Sequence, residues 1–133
     1  MTTSSWSPTP AKSPYIIDAN LLQVFIQFSE KKCWNKLPSL LTPDEIKVHR
    51  ALMTQSKETW FKTAEQFSSE QLLLLVRFFT LAEMQFNGWQ AAEKSPVIWI
   101  TKVLRQRKNP LPQELLVWIK SHSDNQFLPN GAL

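Results

Sequence analysis

From Ser68 to Gly88 the chain reads SSEQLLLLVRFFTLAEMQFNG, and its spacing fits one secondary structure. Ser68, with Gln71 three residues on, has the form of a capping box, in which each side chain satisfies a backbone N–H at the start of a helix. Leu72, Leu73, Leu74, Leu75, Val76, Phe78, Phe79, Leu81, Met84 and Phe86 then cover most of a helical circumference, and Gly88 stands where a helix stops. A helix that is apolar nearly all round sits at the centre of its fold, with neighbours on several sides. We therefore expect a central helix over residues 69–87.

Upstream of it, Thr42-Pro43-Asp44-Glu45 combines a capping Thr, a Pro at the first helical position and acids in the first turn. The apolar side that begins there runs through Ile46, Met53, Trp60, Phe61, Ala64 and Phe67. It is compatible with one helix to about Gln66 or with a bend at Thr54–Ser56. Before it, Asp18 caps a helix bearing Leu21, Leu22, Phe25, Ile26 and Phe28, which runs to about Lys31. Downstream, Ser95-Pro96 opens a fourth helix with Val97, Ile100, Val103 and Leu104 facing inward, and Asn109-Pro110-Leu111-Pro112 ends it. A fifth, about Gln113 to Ser121, presents Leu115, Leu116, Trp118 and Ile119. Nothing alternates as a strand does, so the fold class is all-α, a single bundle of about five helices.

The bundle is expected over residues 15–121. Residues 1–14 form a Ser/Thr/Pro-rich tail whose composition cannot bury enough apolar surface to order itself. Residues 122–133 form an extended C-terminal tail that packs on the bundle. The N-terminal tail carries Ser7-Pro8, Thr9-Pro10 and Ser13-Pro14, which are the kind of sites a proline-directed kinase modifies, and a phosphate there would carry charge toward the basic end of the chain.

Composition narrows the function. Only Gly88 and Gly131 are glycines, so neither the dinucleotide-binding fingerprint nor the phosphate-binding loop, each of which needs several clustered glycines, can be built. The longest apolar run, Leu72 to Ala82, is interrupted by Arg77 and Thr80 and falls well short of the ~20 residues that span a bilayer. A single cysteine, Cys33, makes no internal disulfide. With no secretory leader pattern in Met1–Pro14, it points to a reducing, cytoplasmic setting.

Groups able to carry chemistry are few. Glu45 and His49 share a helix face as two ligands of a metal site would, yet lack a third, and they read more simply as a solvated pair. His122-Ser123-Asp124 holds three catalytic residue types in a row, but triads assemble in space rather than in sequence. Cys33 lies among Lys31, Lys32 and Lys36, which favour a thiolate, although a cysteine beside Trp34 at a helix end also fits as a small buried hydrophobe. No catalytic residue, metal or cofactor is assigned. Arg77, inside the most apolar helix, needs an acceptor. It either pairs with a carboxylate such as Glu65 or Glu93, shares an exposed stripe with Thr80, or anchors an anion between helices.

Charge is distributed unevenly. Residues 1–93 carry nine basic and nine acidic side chains, whereas residues 94–133 carry six basic and two acidic, so the net +4 resides in the last forty residues. Lys102, Arg105 and Lys108 wind along one side of the fourth helix, opposite Val97, Ile100 and Leu104. With Arg107, Trp99 and Trp118 they form the expected partner-binding face. The expected role is that of a small non-enzymatic regulatory protein docking on a partner with an acidic surface. Nucleic-acid phosphates are the alternative counterpart, and a ligand-binding or enzymatic bundle around Arg77 is a second. A central helix this apolar also fits half of a homodimer core.

Overall fold

A computed structural model describes residues 15–32 and 36–128, which form seven α-helices and, among the described residues, no strand. Asp18 opens α1 (Ala19–Glu30), its carboxylate accepting the Asn20 N–H at 2.8 Å. α2 is a single turn, Leu37–Leu40, with Pro38 in its first turn. The Thr42 signal is realised in α3 (Pro43–His49): Thr42 Oγ1 accepts the Glu45 N–H at 3.1 Å while Glu45 Oε1 accepts the Thr42 N–H at 2.8 Å.

The chain between α3 and the central helix is not continuous. A 3₁₀ turn, Arg50–Thr54, buries Leu52 and Met53, and Ser56 then caps a separate α4 (Lys57–Ala64). The break lies where a bend was one of two readings. With α2, it raises the helix number from the five expected to seven.

The central helix is α5, Ser69–Gln85, opened by the reciprocal Ser68–Gln71 capping box at 3.1 and 2.9 Å. It packs against α1, α2, α6 (Pro96–Gln106) and α7 (Gln113–His122). Its sides are used differently. Phe78 stacks face to face on Phe25 of α1 with centroids 4.0 Å apart, and Phe79 meets Trp60 of α4 edge to face at 5.5 Å. Leu72 and Val76 are also buried. Such a core resembles an organic crystal in density, so truncating any of these rings would cost about 3–5 kcal/mol.

Two indole N–H groups inside this core find carbonyls. Trp60 Nε1 donates to Leu52 O at 3.2 Å and Trp89 Nε1 to Ile46 O at 2.8 Å. Trp89 thus packs fully buried over the end of α5, against Phe86. Beyond α7, the 126–128 turn returns to the bundle and buries Leu128. Trp6, Cys33, Trp34, the Ser/Thr-Pro sites and residues 129–133 lie outside the described residues.

No described helix is long and apolar enough to cross a membrane.

Candidate functional site

The outer side of α6 is where the sequence placed the partner-binding face. Ser95 caps the helix with its hydroxyl on the Val97 N–H, and Val97, Ile100 and Leu104 are fully buried. Helical geometry then turns Lys102 and Arg105 away from the core, while Lys108, expected on the same helical side, lies two residues past the last helical residue. Arg105 and Lys108 are exposed and Lys102 half-buried. Lys108 also ends the helix. It adopts a left-handed backbone (φ 62°), and the next N–H, that of Asn109, reaches back to Leu104 O at 2.8 Å, as in a Schellman stop. Trp99 lies one turn before Lys102, half-exposed, with its Nε1–H buried and without a hydrogen-bond partner.

The other two members of the expected face are engaged elsewhere. The Arg107 guanidinium donates to Ala64 O at 3.0 Å and Phe67 O at 2.9 Å, with Ser69 Oγ at 3.4 Å. It thereby adds donors where α4 ends and α5 begins, one to the Phe67 carbonyl and one to the Ala64 carbonyl, which also accepts the Phe67 N–H at 3.0 Å. Trp118 belongs to the α5–α7 seam: the Arg77 guanidinium lies over its ring at 4.9 Å, and His122 stacks on it at 4.5 Å. Arg77 is therefore half-buried against an aromatic face, an arrangement suited to a delocalised cation. Thr80 does not share an exposed stripe with it. It is fully buried, its hydroxyl donating to Val76 O at 2.7 Å, because it lies on the side of α5 that other helices cover.

The remaining candidate pairs have local occupations. Glu45 completes the α3 capping box, and His49 Nδ1 lies 2.8 Å from the Tyr15 hydroxyl. Burial first, and then the charge of Asp18, push the Tyr15 hydroxyl up to about 12. His122 Nδ1 meets Trp118 O at 2.9 Å, and Ser123 Oγ accepts the Asn125 N–H at 3.0 Å. Among the described residues no group of three His, Cys, Asp or Glu side chains is placed to hold a metal.

One group the sequence reading passed over is Glu83, an acid on the central helix that is only 2% exposed. Its Oε2 accepts the Ser95 hydroxyl at 2.5 Å, while Oε1 accepts the Ala91 N–H and the Asn125 amide, each at 3.1 Å. Burial drives its carboxyl above the ordinary range, against the lowering effect of these three donors, and Asp124 adds to the rise. The group clamps three segments together: the end of α5, the start of α6 and the segment after α7. It also forms part of the wall of a cleft of about 290 Å³ shared with Met84, Gln90 and residues 124–127. A sequence signal for it existed. Leu72, Val76, Phe79 and Glu83 follow the i, i+4, i+7, i+11 spacing of one helix face, so an acid at 83 had to be buried wherever the other three were.

Compared with protein-family models, with curated proteins and with solved structures, the chain matches none of them.

Proposed function

We propose that this protein is a small helical docking module that engages an acidic surface of a larger protein through the outer side of α6, with Trp99, Lys102, Arg105 and Lys108 as contact residues. The observation that carries this reading is the concentration of positive charge in one stretch: residues 94–113 hold Lys94, Lys102, Arg105, Arg107 and Lys108 and no acid. The α6 macrodipole accounts for a share of that charge, since cations at a helix C-terminus are favoured by about 0.3–1 kcal/mol. Lys102, however, lies a full turn before the end. Trp99 beside it supplies the rigid aromatic anchor that interfaces favour. Arg107 contributes by holding α4 and α5 against the end of α6, and Trp118 by ordering the α5–α7 seam.

Three outward cations suit a protein surface better than a nucleic acid, whose non-specific binding at physiological salt takes more phosphate contacts than these can make. The test measures the anisotropy of a labelled Asp/Glu-rich peptide and of a labelled DNA duplex against wild type and the K102E/R105E/K108E variant across a salt series. The peptide is expected to bind wild type and to lose about tenfold or more in affinity to the variant, each screened contact being worth on the order of 1 kcal/mol. Equal binding by both proteins overturns the proposal. Tight, steeply salt-dependent binding of any duplex assigns the face to phosphates instead.

A further inference from the structure

Two depressions lie side by side between α3 with its 3₁₀ turn and the 86–90 turn after α5, with Lys47 and Arg50 in the walls of both. One, of about 410 Å³, has Pro38, Pro43, Ile46 and Phe86 among its walls. The other, of about 390 Å³, has Val48, Met53 and Gly88. Each falls in the size range of small-molecule sites.

Three features give this place a chemical character. Its described lining contains two cations and no acid. Arg50 packs against the turn at Gly88, whose left-handed backbone (φ +83°) favours glycine; a Cβ there would stand 3.5 Å from Arg50 Nη1 and 3.7 Å from its Cδ, in ordinary contact. Apolar surface flanks the cations, including Pro38, Pro43 and Ile46 in one depression and Val48 in the other. A guanidinium fork beside an apolar wall complements a singly charged planar anion carried on an apolar body.

We infer that this double cleft binds an amphipathic small-molecule carboxylate, with Arg50 on the carboxylate, Lys47 supporting it electrostatically, and the apolar body lying on Ile46, Pro38 and Pro43. The site is separate from the α6 face and does not depend on it. It also has a built-in reporter. Trp89 donates its indole N–H to Ile46 O at 2.8 Å, so an occupant touching the partly exposed Ile46 changes the environment of that N–H.

The experiment follows the Trp89 indole N–H resonance during titration with decanoate, decanol and acetate, for wild type, Arg50→Gln and K102E/R105E/K108E. Decanoate is expected to shift the resonance saturably. Decanol and acetate, each lacking half of the complement, should bind about tenfold or more weakly, as should decanoate to Arg50→Gln. The α6 variant should bind decanoate as wild type does, which separates this site from the docking face. Arg50 is exposed at the surface, so its replacement leaves the fold intact, as circular dichroism would verify. The inference is overturned if decanoate leaves the resonance unmoved up to about 5 mM, where even a −4 kcal/mol interaction would register. It is equally overturned if Arg50→Gln binds decanoate as tightly as wild type, or if decanol does as well as decanoate.

Discussion

Glu83 shows how a single side chain ties this molecule together and makes it sensitive to pH. A carboxylate with neutral donors and deep burial is held ionised at a cost, and its raised value records that cost. Because the folded protein holds this proton more tightly than the unfolded chain, the stabilisation tied to Glu83 is full below the ordinary value of 4.5 and is lost as pH rises through the raised value. Urea midpoints measured across that window are expected to fall with rising pH in wild type relative to Glu83→Gln, whose amide keeps the shape and does not titrate. Parallel profiles would show that Glu83 does not carry the dependence. Replacement by Ala is a different experiment, since it strands the Ser95, Ala91 and Asn125 donors at about 1–3 kcal/mol.

Among the elements, the junction of α4, α5 and α6 depends on Arg107. α4 has only eight residues, and no Gly stops it; Glu65 and Gln66 follow Ala64 directly. Its terminal carbonyl at Ala64 is met from across the fold by a guanidinium that also reaches Phe67 O. Arg107→Gln is expected to lower the unfolding free energy by about 1–3 kcal/mol, measured by urea denaturation, with Arg107→Lys restoring only part of it because an ammonium does not present two parallel donors. A variant as stable as wild type would mean that the two carbonyls are served equally well by water. The segment between α3 and α4 keeps them separate helices. Leu52 and Met53 enter the core from a 3₁₀ turn whose tighter winding re-aims them, and Ser56 then begins a new helix in a new direction.

For the whole molecule, the question is whether α5 is covered by its own chain or by a second copy. Leu72, Leu75, Val76, Phe78, Phe79, Leu81 and Ala82 are all buried, and α1, α6 and α7 take different sides of the helix. Among the described residues, the large apolar side chains that remain exposed, Ile16, Val24, Val48, Met84 and Val117, are carried by four different helices and the segment before α1. With these sides of α5 covered by its own chain, a monomer is the expected state. Light scattering is therefore expected to return a mass near 15.4 kDa at micromolar concentration, and a dimer mass would direct attention to Val117 and Met84.

The all-helical class, the starts of α1, α3, α5 and α6 and the inward stripes were legible in residue order because both partners of each signal lie within one turn. Ser68 and Gln71, like Thr42 and Glu45, are three residues apart, so their geometry follows from the helix alone. The outward position of Lys102 and Arg105 followed from the same periodicity, whereas Lys108 lies past the helix in its left-handed stop. The engagements that reassign Arg107, give Arg77 the face of Trp118 and make Glu83 a clamp join residues about forty apart in the chain. A hydrogen bond across that separation depends on how helices pack, which is set by the volumes of many side chains at once, and residue order states the need for a partner without stating which one is brought near.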